Sequence, residues 1–221
     1  MIITIDGPSG TGKSTVAKRV AEALQFNYFE TGALFRAVAA VAIEQKIDDR
    51  NPILLEKLLA EFPLSVHILK DTIHVFAGAF DTTPHLRRLD VTDGSSRVST
   101  YGFVRDHVAA VLHTFANEGN AVFEGRDMGT VIFPNAPLKI FLTATPEIRA
   151  ERRYKEMRDK DPHFSVPLEQ ILADINERDR RDMTRKLSPL HPAADAHIID
   201  TSHLSREEVV AVILDLYKKS P

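Results

Sequence analysis

Residues 7–14 have the composition and spacing needed to hold a chain of phosphates. They read Gly-Pro-Ser-Gly-Thr-Gly-Lys-Ser, the complete G-x-x-x-x-G-K-[ST] pattern. The glycines let the backbone curl so that successive N–H groups face a phosphate, while Lys13 supplies a positive charge and Ser14 a hydroxyl for Mg²⁺. The sequence therefore predicts that a nucleoside triphosphate binds to Gly7, Pro8, Ser9, Gly10, Thr11, Gly12, Lys13, Ser14 and Thr15.

An arginine and an aspartate follow an apolar run at 121–124. In a parallel α/β sheet, ligands bind beside the carboxyl ends of the strands, and Gly125-Arg126-Asp127 stands directly after this one. The segment therefore places a guanidinium and a carboxylate at the expected ligand crevice. An ion pair on a surface loop is the competing interpretation of this segment alone.

A third group of charged residues lies in a helix predicted over about 168–186. At 100° per residue, Arg178, Asp182 and Arg185 fall within about 60° of one another on one face. Arg180 points the other way. A charged face exposed to solvent is the competing interpretation of this pattern.

The elements that must position these residues follow from the apolar pattern. Short apolar, β-branched runs predict buried parallel strands, and apolar residues at helical spacing predict the helices between them. Five such strands alternating with helices indicate a doubly wound α/β core. The predicted strands are 2–5, 27–30, 121–124, 138–143 and 196–200, and the predicted helices are 16–24, about 32–46, 52–61, one from near 100, one after 146, 168–186 and 205–218.

An antiparallel pattern interrupts this alternation between about 63 and 95. Leu64–Leu69 and Thr72–Phe76 flank Lys70-Asp71, which predicts a β-hairpin, and a short extended piece follows near Phe80–Thr83. We interpret 63–95 as an inserted β-containing subdomain, after which a helix resumes near Thr100.

Composition excludes several classes of protein. The chain has 221 residues, is 43% hydrophobic and 27% charged, carries a net charge of -3 and contains no cysteine. These values exclude a disordered chain, a general basic field for nucleic acid and any disulfide or thiolate chemistry. No apolar run approaches the roughly 20 residues that span a bilayer, and Met1–Ile5 lacks the flanks of a signal peptide. We expect a cytoplasmic protein with no nucleic-acid or membrane partner.

The phosphate loop leaves open what receives the phosphoryl group. A switch GTPase needs an N-K-x-D motif, but Asn176-Glu177-Arg178-Asp179 lacks the lysine and lies within a predicted helix. A motor ATPase usually needs a longer core. A small-molecule kinase needs a cationic acceptor pocket, which the arginines above can supply.

Four motifs in order resemble those of the bacterial cytidylate kinase family of nucleoside monophosphate kinases, over nearly the whole chain. They are Gly-Pro-Ser-Gly-x-Gly-Lys at 7–13, Thr-Gly-Ala-Leu-Phe-Arg at 31–36, Glu-Gly-Arg-Asp-Met-Gly-Thr at 124–130, and Glu-Arg-Asp-x-x-Asp-x-x-Arg at 177–185. The resemblance implies phosphoryl transfer from ATP to CMP, and also to dCMP, in pyrimidine nucleotide metabolism. It also implies a five-stranded parallel sheet of order 2-3-1-4-5 with helices on both faces, a monophosphate-binding region at 32–118 and a helical lid at 149–167. We expect a monomer.

The same resemblance implies a role for individual residues. Arg36 and Arg126 correspond to clamps on the acceptor phosphate, with Thr31 beside them, while Arg178 and Asp182 correspond to ribose contacts. Glu124, together with Ser14, corresponds to the magnesium site and acts through water. The positions that read cytosine are Ser96, Arg105, Asp127 and Arg185.

Two arginines in the lid complete the expected catalytic set, which is Lys13, Arg126, Arg149 and Arg153. In the family, such arginines reach the transferring phosphoryl group. Since Arg149 and Arg153 are one helical turn apart among glutamates, a solvated helix face is the competing interpretation.

The chain departs from the family's usual sequence in three places. Residues 30–36 carry Glu, Thr and Phe where the family often has Asp, Ser and Tyr, so Phe35 lacks a phenol. Glu124 replaces a common aspartate. Residues 86–91 depart most from the usual Ile-Arg-Thr-x-Glu-Val.

The base preference can be argued from hydrogen bonding. Asp127 can accept from the amino group of cytosine, whereas uracil would present a carbonyl oxygen to it. The alternatives are another kinase on the same core, acting on UMP, dTMP or shikimate, and a regulatory protein that binds ATP without turnover.

Overall fold

A computed structural model describes residues 1–69, 72–161 and 163–220. Contacts between Cα atoms divide the chain into two compact units. The first unit comprises 1–28 and 120–221, and the second comprises 29–119.

A five-stranded sheet forms the framework of the first unit, and its strand at 27–30 extends past the division between the units after residue 28. Its strands are β1 Ile2–Asp6, β2 Asn27–Glu30, β6 Ala121–Gly125, β7 Leu138–Thr143 and β8 His197–Asp200, in the order β2-β6-β1-β7-β8. Numbered among themselves, these strands have the predicted order 2-3-1-4-5. The central strand β1 runs parallel to β6 and β7, with Asp6 level with Gly125 and Phe141. The carboxyl ends of three strands therefore meet at one edge.

The described residues of this unit form four α-helices and a short π-helix at Met128–Ile132. The α-helices are α1 Lys13–Leu24, α6 Pro146–Lys160, α7 Leu168–Thr184 and α8 Arg206–Lys219. Helices α1 and α8 pack against the sheet, in agreement with the nearly continuous apolar runs of β1, β6 and β7. Helices α6 and α7 pack against each other through Ala150, Ile171 and Ile175. Ser205 and Glu208 form a capping box that starts α8. The core shared by sheet and helices contains Ile3, Ile5, Val16, Val20, Val122, Ile140, Leu142, Val209 and Ile213.

The second unit combines helices with a small antiparallel sheet. The helices are α2 Gly32–Glu44, α3 Pro52–Glu61, α4 Leu89–Val98 and α5 Gly102–Ala116. The strands are β3 Leu64–Leu69, β4 Thr72–Ala77 and β5 Phe80–Asp81, paired in that order. Antiparallel pairing of β3 with β4 agrees with the expected hairpin. Its predicted turn, Lys70-Asp71, lies outside the described residues.

Helix α4 was not expected, because residues 89–95 were assigned to the β-containing insert and the next helix to begin near Thr100. Asp, Ser, Thr and Gly make this segment a weak helix former. Packing compensates, since Val91 and Val98 are buried. Gly94 lets the neighbouring helix approach so closely that a Cβ there would lie 3.0 Å from that of Ala39.

Helix α7 ends two residues earlier than expected. Arg185 has extended backbone angles of φ −63° and ψ 144°, so it lies just beyond the helix and not on its face. The loop that carries Arg185 folds back on the helix, because the Leu190 N–H donates to the Asp182 carbonyl oxygen at 2.8 Å. Helix α6 begins at Pro146, as predicted, and continues to Lys160.

Within the described ranges, no helix combines the length and apolar character required to cross a membrane.

Candidate active site

The phosphate loop connects β1 to α1, and its glycines are required by geometry. A Cβ at Gly7 would lie 2.0 Å from the Leu142 carbonyl oxygen, so a side chain would break the approach of the loop to β7. Gly12 has φ 90° and precedes the first residue of α1. The Thr11 hydroxyl donates to the Pro8 carbonyl oxygen at 3.1 Å. The loop is therefore held in a curled form by its glycine conformations and by the Thr11 hydroxyl.

Lys13 is buried inside this curl, and its ammonium donates to the Pro8 carbonyl oxygen at 2.6 Å. Burial, followed by the nearby positive charge of Arg126, lowers the pKa of Lys13 to about 7. The charges of Glu124 and Asp6 oppose this shift but do not cancel it. A buried cation held beside a second cation favours the binding of an anion.

Oxygen ligands converge next to the loop. The Ser14 hydroxyl donates to Glu124 Oε1 at 2.7 Å, and the Tyr28 hydroxyl approaches the same oxygen at 3.3 Å. Hydroxyl and carboxylate oxygens are the hard donors that Mg²⁺ prefers. The predicted pair, Ser14 and Glu124, is thus brought together and fits a magnesium ion.

Asp6 fixes the turn after β6. Its carboxylate accepts from the N–H of Met128 at 3.0 Å and from that of Gly129 at 2.8 Å. Burial raises its pKa to about 6, although these two hydrogen bonds oppose the shift. Asp6 therefore positions the turn that carries Arg126 and Asp127.

The turn and α7 bring four predicted side chains together. Arg126 Nε donates to Asp182 Oδ2 at 3.1 Å, and Arg185 Nη2 lies 3.7 Å from Asp127 Oδ1. Asp127 is buried, with 3% of its surface exposed. Arg126 and Asp127 thus belong to one charged cluster with two groups from α7 and the loop after it.

Arg178 belongs to the same region. Burial, then the positive charge of Arg126, lowers its pKa to about 10, and the charge of Arg153 acts in the same direction. Its Nε is buried without a hydrogen-bond partner among the described residues. Such a guanidinium is suited to a polar ligand that the protein itself does not provide.

The second unit contains the remaining predicted binding residues. Arg36 Nη2 donates to Glu30 Oε1 at 2.7 Å, and Arg87 Nη2 donates to the other oxygen of Glu30 at 3.1 Å. Thr31 is buried immediately before α2. Ser96 lies near the end of α4, where its carbonyl oxygen accepts from the Ser99 hydroxyl at 3.0 Å.

The two predicted lid arginines differ sharply in their surroundings. Arg149 is 3% exposed, and each of its three nitrogens donates to a protein oxygen. Arg153 pairs with Glu156 on the surface of α6 at 3.2 Å, with about half of its side chain exposed. Similar sequence positions therefore correspond to one enclosed and one accessible guanidinium.

A family model described as "Cytidylate kinase" matches residues 3–219. The chain belongs to the cytidylate kinase family. A curated relative named "Cytidylate kinase" from Protochlamydia amoebophila (strain UWE25) is 45% identical and covers 97% of this chain and 95% of its own length. Another, from Ralstonia nicotianae (strain ATCC BAA-1114 / GMI1000), is 42% identical over 99% of this chain and 92% of its own.

The same fold occurs in a crystal structure of shikimate kinase from Bacteroides thetaiotaomicron. It aligns with a TM-score of 0.51 and covers 99% of this chain and 98% of its own, but only 11% of the residues are identical. This likeness shows the fold alone, whereas family membership rests on the sequence relatives.

Two departures from the usual cytidylate kinase sequence have visible consequences. Phe35 lacks a phenol, yet its ring lies beneath the Arg105 guanidinium, 5.4 Å from the ring centroid, so it remains a platform for that cation. Arg105 also donates to the Ser99 carbonyl oxygen at 3.2 Å. Glu30, one methylene longer than the usual aspartate, contacts both Arg36 and Arg87.

Sequence reasoning missed Asp6, Glu30, Arg87 and Asp179. A polar residue at the carboxyl end of a buried strand was a usable signal for Asp6. Asp179 gave no comparable signal, because one acidic residue in a charged helix is indistinguishable from its solvated neighbours until α6 is packed against it.

Proposed function

We propose that this chain transfers the terminal phosphoryl group of ATP to CMP and dCMP, giving ADP and CDP or dCDP. Membership of the cytidylate kinase family supports this function. The observation that carries it is the cluster at the carboxyl ends of β1 and β6. Buried Lys13, whose pKa is lowered by that burial and then by the charge of Arg126, lies in the loop after β1, and Arg126 pairs with Asp182 at 3.1 Å after β6.

The donor end of the cluster suits ATP. The loop at 7–15 and the N-terminus of α1 offer backbone N–H groups to phosphates, and Lys13 offers a charge to the β- and γ-phosphates. Ser14 and Glu124 would hold Mg²⁺, Glu124 through water, and the bound metal supplies neutralisation of phosphate charge.

The acceptor end suits a cytidine nucleotide. We assign Arg126 to the acceptor phosphate, Arg178 and Asp182 to the ribose, and Asp127 with Arg185 to the base. Each ion pair within this cluster, such as Arg126 with Asp182 at 3.1 Å, would loosen as the nucleotide supplies new partners. From the second unit we assign Thr31 and Arg36 to the phosphate and Ser96 and Arg105 to the base.

The reaction needs positioning more than acid–base chemistry. An oxygen of the CMP phosphate attacks the γ-phosphorus in line with the bond to the β–γ bridging oxygen, and ADP leaves with that electron pair. The acceptor is already an anion at pH 7, so no general base is required. Arg36 and Arg126 offset the repulsion between two anionic substrates.

We further propose that residues 32–118 form the monophosphate-binding region and that 149–167 act as a lid. A lid excludes water, which would otherwise accept the phosphoryl group. Arg153 is accessible on α6 and is the lid residue that we expect to approach the transferring group. Arg149 belongs to the same predicted set, but its three nitrogens already donate to protein oxygens.

The test is an acceptor panel with ATP and Mg²⁺, in which ADP formation is measured with CMP, dCMP, UMP, dTMP, shikimate and no acceptor. We expect rapid ADP formation with CMP and dCMP, much slower formation with UMP, and turnover at least about 10³-fold lower in Lys13→Ala. Equal rates without any acceptor, or a preference for dTMP or shikimate, would overturn the proposal.

A further inference from the structure

Arg149 joins three separate parts of the first unit. Its Nε donates to the Ala144 carbonyl oxygen after β7 at 3.0 Å, and its Nη1 donates to the Ser9 carbonyl oxygen in the phosphate loop at 3.1 Å. Its Nη2 donates to Asp179 Oδ2 on α7 at 2.6 Å. Only 3% of the Arg149 surface is exposed, and all three nitrogens of the guanidinium are occupied by protein oxygens.

The phosphate loop also touches the backbone of Arg149. Gly10 has φ +83°, and a Cβ there would lie 3.0 Å from Arg149 Cβ and 3.2 Å from its carbonyl oxygen. The middle of the loop therefore rests directly on the first turns of α6. Movement of either segment must be transmitted to the other because no space separates them.

The third contact reaches the helix that carries the proposed ribose ligands. Asp179 is 7% exposed and lies between Arg178 and Arg180 in the sequence. The Arg178 guanidinium is buried, and its pKa is lowered by that burial and then by the charge of Arg126. Asp182, one turn further along, accepts from Arg126. A shift of Asp179 therefore moves the side chains proposed to bind the acceptor.

We propose that Arg149 is a positioning residue, and that with Asp179 it couples the shape of the phosphate loop to the position of α7. Binding of the donor nucleotide to the loop then favours the α7 position that receives the acceptor. The coupling part of this proposal rests on the proposed function. The support of the loop by Arg149 does not, since it concerns the donor alone.

The alternative is that the Arg149–Asp179 pair stabilises the fold without affecting ligands. Breaking a buried pair is strongly destabilising in either case, so loss of thermal stability cannot separate the two. Ligand affinity in variants that remain folded does separate them, and so does the dependence of one affinity on the other ligand.

We choose Arg149→Lys and Asp179→Asn as the variants. Lysine keeps the charge but cannot donate to three diverging oxygens, and asparagine keeps the shape of Asp179 while removing its charge. The matched control is the pair Arg180–Glu177 on the same helix, which has a 2.8 Å contact but is largely exposed. Glu177→Gln and Arg180→Lys remove the corresponding groups there.

The measurement is the Kd of a non-hydrolysable ATP analogue with Mg²⁺, by calorimetry, with and without saturating CMP. In the wild type, CMP should tighten the analogue severalfold. In Arg149→Lys, the Kd without CMP should rise on the order of tenfold. In both Arg149→Lys and Asp179→Asn, the factor by which CMP lowers the Kd of the analogue should fall towards one. The control variants should keep wild-type values.

Wild-type Kd and wild-type tightening in folded Arg149→Lys and Asp179→Asn would overturn the proposal, whatever their melting temperatures. If Arg149→Lys does not fold, Asp179→Asn decides through the tightening factor. If the wild type fails to phosphorylate CMP, the proposed function fails. The support of the loop is then judged by the Kd of the analogue alone.

Discussion

The donor loop and the predicted acceptor residues are held in place by different kinds of interaction. Close backbone packing holds most of the loop, through Gly7 against β7 and Gly10 against α6, and the Arg149 side chain adds a hydrogen bond to Ser9. Ion pairs between side chains hold the predicted acceptor residues, such as Arg126 with Asp182 and Arg36 with Glu30. Backbone contacts persist when a ligand binds, whereas ion pairs can exchange partners. The proposed donor site is therefore largely preformed, whereas protein carboxylates pair with the proposed acceptor arginines until a nucleotide replaces them.

The largest effect should come from the preformed region. Lys13→Ala removes the buried charge on the β- and γ-phosphates, and we expect turnover to fall by at least about 10³-fold, at the upper end of the loss of one charge-stabilising group. The measurement is kcat, with circular dichroism as the control for folding. Near-normal turnover in a folded variant would contradict the assignment of the loop.

Loss of an arginine that is paired with a protein carboxylate should reduce activity somewhat less. Arg126→Ala should reduce kcat/KM for CMP by about 10²- to 10³-fold, because one donor to the acceptor phosphate is lost. Arg180→Ala on α7 provides a control with an exposed guanidinium. An unchanged rate in Arg126→Ala would mean that this arginine forms only an ion pair with Asp182.

If the Glu30 carboxylate competes with the substrate for Arg36, removing its charge should strengthen the binding of CMP. Glu30→Gln keeps the size of the side chain but removes the charge that Arg36 must leave. We expect the KM for CMP to fall by about two- to fivefold, the range of a partly exposed ion pair. A KM that rises instead would show that Glu30 aligns Arg36 productively.

The smallest predicted effect is the uptake of protons when ADP binds. The pKa of Lys13 is lowered to about 7 by burial and by Arg126, and the phosphates of ADP should raise it again. At pH 8 the unliganded lysine is mostly neutral and the liganded one charged, so binding should take up about one proton, and much less at pH 6. Calorimetry of ADP binding in buffers of different ionisation enthalpy measures this number. Uptake that persists in Lys13→Met would contradict the origin we assign to it.

Sequence predicted the rigid region better than the side-chain contacts. The strands and the phosphate loop were accessible because both depend on local patterns, such as apolar runs and the spacing of glycines. The strand order came from the resemblance to the family. Helix α4 was missed because packing of Gly94 against Ala39 overrides its weak propensity. The enclosed state of Arg149 was also inaccessible, since the same spacing places Arg153 on the surface.

Base selection by Asp127 is the central claim, and the ratio of kcat/KM for CMP to that for UMP tests it most directly. With UMP, the buried carboxylate would face a carbonyl oxygen. A buried polar group left unpaired costs about 1–3 kcal/mol, and more when it is charged, which predicts a preference for CMP of roughly tenfold to a few hundredfold. Asp127→Asn can turn its amide to donate, so it should narrow this preference, chiefly by losing activity with CMP. Equal use of CMP and UMP by the wild type, or a full CMP preference retained by Asp127→Asn, would contradict the account.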